Sequence, residues 1–310
     1  MKQYDFELKS VPEDARLDKA IAAHAQSTGL EISRSYAKKL IEDGGVYLNR
    51  KRCKQCAKPV RVGDKIKICI SEAPNDAGEK DYVLPEKLVI YEDEDIIVVN
   101  KPPLIPTHAT IDTSRNHLVL ATQTMLAARS KKKPAEIYLG VHHRLDRDTS
   151  GIILFTKRKE ANPRIAQAFQ ERKFQKTYLA ICLGVPKEKT FSVKSFLGVD
   201  PRNRRFFCTV EREGKFAHTD VRLLETLFIG SKKISLMEAK PLTGRTHQIR
   251  VHLSENRLPI LGDAAYGVRF QDVPRLLLHA WHLELDGQSW HAPMPEDFQS
   301  LGFREPAHGL

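Results

Sequence analysis

The sequence runs to 310 residues, with 50 Lys plus Arg against 39 Asp plus Glu, a formal net charge of +11 and a hydrophobic share of 41%. At about 150 residues per domain this length predicts two domains, and the positive balance points to a polyanionic partner. The longest apolar runs, such as Ile96 to Val99 and Gly151 to Phe155, fall far short of the roughly 18 residues needed to span a bilayer. The amino terminus carries Asp5, Glu7, Glu13 and Asp14 where a secretory leader would be apolar. Five cysteines, Cys53, Cys56, Cys69, Cys182 and Cys208, form an odd set without framework spacing, which suits a reducing cytoplasm better than a disulfide scaffold.

Residues 1 to 70 hold 15 basic and 9 acidic residues, and 8 of the basic ones fall between Arg50 and Lys67. A small basic module is therefore expected over residues 1–72. Within it Leu17, Ile21 and Ala25 recur every fourth position after Asp14, a candidate cap, which predicts a helix from Ala15 to about Gln26. A second helix is expected after Ser33, with Tyr36, Ala37, Leu40 and Ile41 as its apolar face and Gly44-Gly45 as its stop. It would set Arg34, Lys38 and Lys39 toward a phosphate backbone, although a merely solvated helix face has the same pattern. Two short strands, Val46 to Asn49 and Lys65 to Ile70, flank a basic hairpin that includes Arg50 and Arg52. Cys53 and Cys56 make a lone C-x-x-C with no second pair, so both are read as incidental rather than as zinc ligands.

Residues 71 to 96 hold 9 acids and 2 bases, interrupted by Pro74, Gly78 and Pro85. This composition predicts a solvated linker over 73–87, with the next domain running from 88 to 310. In that domain Ile96 to Val99, Gly151 to Thr156, Thr177 to Leu183, Phe216 to Leu224, Ile234 to Ala239 and Leu276 to Leu285 read as strands. Helices are expected at His117 to Arg129, Pro163 to Arg172 and Thr246 to Glu255. Without a repeating βα rhythm the fold class is α+β, with a large and mainly antiparallel sheet. No G-x-G-x-x-G, G-x-x-x-x-G-K-[ST] or G-x-S-x-G occurs. Their absence argues against a dinucleotide enzyme, a P-loop ATPase and an α/β-hydrolase.

The densest chemistry lies in VHHRLDRDTSGIILFTK, where His142, His143, Arg144, Asp146, Arg147 and Asp148 crowd the positions before an apolar strand. Such a loop aims a carboxylate from a rigid sheet edge, beside guanidinium groups that favour its ionised form. An ionised aspartate there is a candidate nucleophile or base; a salt-bridged turn is the other reading that these residues allow. A metal site is disfavoured, because adjacent histidines on an extended segment point to opposite faces.

Two resemblances sharpen these expectations. RLDKAI, SRSYAKKLIEDGGVYLN and VRVGDKIKI, in that order, resemble the RNA-binding domain first named for the fourth small-subunit ribosomal protein, which implies a module that grips structured RNA. HRLDRDTSG before a hydrophobic strand, followed by QKTYLA, PLTGRTHQIRVHL, PILGDAAYG and RLLLHAWHLEL, resembles the RluA-type pseudouridine synthases. The upstream EDEDIIVVNKPPLIPTH resembles that family's opening block, with Pro103 in place of a small residue.

The second resemblance implies an isomerase that detaches a uracil, turns it and rejoins it through carbon, with neither cofactor nor metal. It implies Asp146 as the catalytic aspartate, acting on the ring, on the sugar or by a glycal route, and Asp148 as structural. It further implies Arg245 as the arginine paired with that aspartate, Tyr178 as the aromatic stacked on the target base, and Arg144 as the residue that enters the RNA where the uridine leaves. Lys131 to Lys133, Arg202, Arg204, Arg205, Lys232 and Lys233 would extend the basic footprint. The expected partner is ribosomal RNA of the large subunit, transfer RNA second, with the chain acting as a cytoplasmic monomer. A noncatalytic RNA-binding factor is the alternative class, and the joint presence of Asp146, Tyr178 and Arg245 argues against it.

Overall fold

The computed structural model describes residues 2–307 apart from 13, 15, 31, 43–44, 71–81, 110–115, 205, 269 and 271–272. The chain divides into two compact units, Met1–Tyr82 with His108–His117, and Val83–Thr107 with Leu118–Leu310. Of the expected linker, residues 73–81 lie outside the described ones. Leu84 is buried in the second unit, its amide donating to the Ala121 carbonyl at 3.3 Å.

The first unit comprises β1 (Lys2–Glu7), α1 (Leu17–Thr28), α2 (Arg34–Glu42), β2 (Val46–Leu48), β3 (Lys51–Arg52) and β4 (Lys65–Ile70). The expected apolar positions converge: Leu17, Ile21 and Ala25 of α1 and Ala37, Leu40 and Ile41 of α2 pack with Val46, Ile66 and Ile68. Tyr36 departs from its expected place in that face and is exposed. The start of α1 also differs. Asp14 pairs with Lys19 and caps nothing; the Leu17 and Asp18 amides donate instead to the carbonyls of Lys58 and Cys56, so hairpin backbone satisfies the first turn. Ser33 does cap α2, accepting the Tyr36 amide at 3.2 Å. Among the described residues a sheet of order β1-β4-β2-β3 lies with these helices; β1, unforeseen from its alternating but charged sequence, pairs antiparallel with β4.

The second unit comprises β5 (Val89–Glu92), β6 (Ile96–Lys101), α3 (Leu118–Ser130), β7 (Gly140–Val141), β8 (Ser150–Thr156), α4 (Asn162–Gln170), β9 (Gln175–Leu183), β10 (Thr190–Val199), β11 (Phe207–Thr209), β12 (Lys215–Ile229), β13 (Lys232–Pro241), α5 (Gln248–Glu255), β14 (Leu278–Leu285), β15 (Gln288–His291) and α6 (Glu296–Gln299). Among the described residues the sheet has 11 strands in the order β11-β10-β12-β13-β9-β14-β8-β6-β5, with β15 beside β14 and β7 beside β8. The pairing is antiparallel except between β14 and β8. Every residue of β8 is buried, as its unbroken apolar run requires, whereas β10 alternates half-buried with exposed residues, a weaker signal that the sequence did not reveal.

The parallel pair positions the loop before β8. Gly151 stands opposite Ala280 with φ +112°, and a Cβ there would lie 2.1 Å from the Ala280 carbonyl oxygen. Only glycine permits this approach. Ser150 and His279 lock the crossing by an Oγ···Nδ1 contact of 2.9 Å, and Arg275 donates to the same Oγ at 3.2 Å. Among the described residues no helix is long and apolar enough to cross a membrane.

Candidate active site

The segment from His142 to Thr149 leaves β7 and returns as β8, and three buried anchors set its shape. The Thr107 hydroxyl donates to the Leu145 carbonyl at 2.9 Å and accepts the Leu145 amide at 3.2 Å. The Thr149 amide donates to the Asp146 carbonyl at 3.2 Å. Lys101, at the end of β6, is fully buried and donates to the carbonyls of Pro102, Ile105 and Arg147 at 2.8, 2.8 and 2.9 Å. Burial lowers its pKa to about 7, yet only an ammonium completes three such bonds. This lysine ties the NKPP turn to the loop that carries Asp146.

A cleft of about 540 Å³ opens beside that loop, and Arg144, Asp146, Tyr178, Arg245, His247 and Arg250 are among its lining residues. The Asp146 carboxylate is 22% exposed, so it faces the cleft while remaining partly shielded. The expectation that Arg245 holds it is not met. Arg250 does so, donating Nη1 to Asp146 Oδ2 at 2.9 Å, whereas Arg245 donates Nε to the Phe216 carbonyl oxygen at 2.9 Å. The reason is helical phase. Arg245 precedes α5 and lies along β12, while Arg250 projects from the first turn of α5 toward the loop before β8.

Arg250 is held in turn. Its Nε and Nη2 form a fork on Asp263, both at 2.8 Å, and its guanidinium lies 5.1 Å from the centre of the Tyr266 ring. Burial opposes the charge of Asp263, but hydrogen bonds from Arg250 and from the Ala265 and Tyr266 amides outweigh it and hold the carboxyl below its usual range. His247 Nε2 stands 3.7 Å from Asp146 Oδ2, and its Nδ1 is 2.8 Å from the Tyr266 hydroxyl, which also accepts the Phe207 amide. Burial lowers the His247 pKa in spite of the neighbouring Asp146, so near neutrality the ring is uncharged and Arg250 supplies the positive charge at Asp146.

Tyr178, half-buried on β9, lines the same cleft, and burial together with Asp146 raises its phenol well above the ordinary range. The ring presents a neutral aromatic face to whatever enters. The histidine pair departs from the opposite-face expectation. His142 and His143 both stack on Phe169, at 6.4 and 4.7 Å, because the backbone there has left the strand; the Leu154 amide donates to His143 Nε2 at 2.9 Å. Asp148 pairs with Arg147 at 2.8 Å on the exterior. Among the described residues no group of three or more His, Cys, Asp or Glu is arranged to hold a metal ion.

Residues 95–255 match the sequence family described as RNA pseudouridylate synthase. The chain belongs to this family. Residues 16–66 match the S4 domain. The synthase is 34% identical over 277 residues, 88% of this chain and 83% of the relative, to an uncharacterized RNA pseudouridine synthase of Aquifex aeolicus (strain VF5). It is 34% identical over 288 residues, 89% of this chain and 84% of the relative, to ribosomal large subunit pseudouridine synthase D of Borreliella burgdorferi. Among solved structures it is similar to human RNA pseudouridylate synthase domain containing 1, with a TM-score of 0.56 and 29% identity over 69% of this chain and 85% of that one. The resemblances read from the sequence therefore hold: the chain is an isomerase of the RNA pseudouridine synthase class, its sheet is large and mixed, and its S4 module makes RNA the partner.

The basic residues expected in the synthase's S4 module have unequal environments. Arg34 is engaged, donating Nε to the buried Asp18 at 3.3 Å, a carboxylate that Arg16 also holds. Lys38 and Arg50 are exposed, and Arg52 lies 6.0 Å from the Tyr47 ring centre. The side chain of Lys39 and the whole of Arg205 lie outside the described residues. Cys53 is buried with its thiol donating to the Gln55 carbonyl, and Cys56 donates to the Lys38 carbonyl and to Glu42 of α2. Arg250, Asp263, His247 and Lys101 went unmarked in the sequence although all four sit in its quoted blocks; only their convergence in space sets them apart.

Proposed function

We propose that this synthase converts uridine to pseudouridine in structured RNA, large-subunit ribosomal RNA first, with Asp146 acting on a nucleotide turned out of its helix. One observation carries the reading: a partly shielded carboxylate, fixed by a buried arginine fork, faces a cleft that Tyr178 also lines. The reaction breaks the bond between N1 of the uracil and the sugar, forms a bond from carbon 5 to the sugar, removes a proton from carbon 5 and returns one to N1. No atoms or electrons are exchanged overall, so positioning and proton movement are what the protein must supply.

In this reading Asp146 supplies the oxygen, Arg250 orients it, and Tyr178 gives the everted base a replacement stacking partner worth about 1–3 kcal/mol. Arg144, exposed at the cleft, takes the vacated place in the RNA, and Arg245 reaches substrate rather than Asp146. Residues 1–72 act as the gripping module and 88–310 as the catalytic one. In this reading the acting form is a monomer working in the cytoplasm. The name of the Borreliella relative supports the ribosomal target.

The test is conversion of an unmodified large-subunit ribosomal RNA transcript by purified protein, with the modified position mapped. Asp146→Asn is expected to abolish conversion and to leave RNA binding within a few-fold. Turnover surviving in that variant would remove the aspartate from its role.

A further inference from the structure

Lys176 and Tyr178 alternate on β9, so their side chains share one face of the strand about 6.6 Å apart, and both line the cleft. The surroundings of Lys176 are unusual for a lysine. Its ammonium lies 4.8 Å from the centre of the Phe169 ring, and that ring is stacked between His143 at 4.7 Å and Phe174 at 4.0 Å, a rigid aromatic wall. Among the described residues no carboxylate lies within 4.0 Å of Lys176, nor of Arg172, which also lines the cleft. Burial lowers the Lys176 pKa to about 8, the direction that lost hydration without a counter-ion gives an amine. A cation held half-dry costs stability unless something anionic completes it. The neighbouring His143 offers no competing charge, since its pKa lies well below the ordinary value through burial.

We propose that Lys176, on a cleft that Arg172 also lines, forms a phosphate subsite that takes a backbone phosphodiester next to the uridine seated on Tyr178. The subsite rests on the reading of Asp146 and Tyr178 given above. It assigns Lys176 a binding role, setting how far along the strand the everted nucleotide stops.

The experiment uses the full chain and an unmodified large-subunit ribosomal RNA transcript. Lys176→Met is expected to raise KM roughly tenfold with kcat within about twofold, and to reduce the slope of log affinity against log salt by about 0.7 to 0.9, one phosphate contact. Lys176→Arg should restore both values. Lys176→Gln is the second variant should the apolar substitution fail to fold. An unchanged salt slope, or a fall in kcat at constant KM, would overturn the subsite. Inorganic phosphate added at constant ionic strength should leave KM unchanged; competition that depends on Lys176 would instead assign the site to a free anion. The two readings separate cleanly. Activity persisting in Asp146→Asn ends the catalytic assignment, whereas an inactive Asp146→Asn with an unaltered salt slope in Lys176→Met ends only the subsite.

Discussion

Arg250 donates one nitrogen to Asp146 at 2.9 Å while two others grip Asp263, so a single guanidinium joins an open carboxylate to a buried one. Asp263 is 1% exposed and Arg250 9%, which makes the inner pair the fixed support and Asp146 the working end. The fork geometry matters more than the charge, because only a guanidinium serves both carboxylates at once.

Replacing Arg250 by lysine should accordingly lower kcat about 100-fold, the usual consequence of misplacing a reacting group by about 1 Å. Asp263→Ala should also destabilise the fold by about 3–5 kcal/mol, since it leaves the buried Arg250 without its inner partner. Single-turnover rates and denaturant titrations check the two claims; a kcat near wild type in Arg250→Lys would show that the fork is dispensable.

Lys101 anchors the other side of the same loop. Lys101→Met would leave three carbonyl oxygens without their donor, that of Ile105 buried and those of Pro102 and Arg147 part-buried, at about 1–3 kcal/mol for each left unpaired. A net loss of about 3 kcal/mol is expected, lowering Tm by roughly 6–12 °C for a domain of this size. Scanning calorimetry measures it, and a Tm unchanged within 1–2 °C, on the order of the smallest resolvable shift, would contradict the anchoring role.

Gly151→Ala should be among the most damaging small substitutions in the chain. The added methyl would meet the Ala280 carbonyl and amide at 2.1 and 2.6 Å, on a backbone with φ +112°. Separation of β14 from β8 would follow, with a cost of more than about 3 kcal/mol and loss of soluble folded protein. A variant as stable as wild type would mean that the two strands tolerate a wider spacing.

Acid should weaken the fold through two buried histidines. His252 and His279 are fully buried, and burial lowers them to about 4 and about 3. Between those values and the unfolded pKa near 6.5, the unfolded chain binds protons that the native one refuses. Stability is therefore complete above about pH 6.5 and declines as pH falls, by up to about 1.4 kcal/mol per pH unit for each histidine. Denaturant titrations from pH 7 to 5 should show this slope, and His279→Asn should make it shallower; a slope unaffected by that change would discount His279.

Much of this was legible in the linear chain because it depends on local pattern. The apolar run of β8 can only be a buried strand, the four-residue recurrence of Leu17, Ile21 and Ala25 can only bury one helix face, and the charged cluster before Ser150 marks a loop at a sheet edge. β10 stayed hidden because its half-solvated alternation with polar residues resembles irregular chain. The helix start at Leu17 was misplaced because its amides find partners some forty residues away, which no local rule encodes.

What residue order by itself determined was the fold class, an S4 module ahead of a pseudouridine synthase segment, and RNA as the partner, and it singled out Asp146, Tyr178, Arg245 and Arg144 as expected site residues. Tertiary structure decided which arginine serves the aspartate. Arg245 and Arg250 stand five positions apart in one motif, and only the packing of α5 against the loop before β8 turns Arg250 inward, onto Asp146 and Asp263, and leaves Arg245 along β12. Side-chain direction at a helix start follows from what the helix packs against, and that is a property of the assembled sheet.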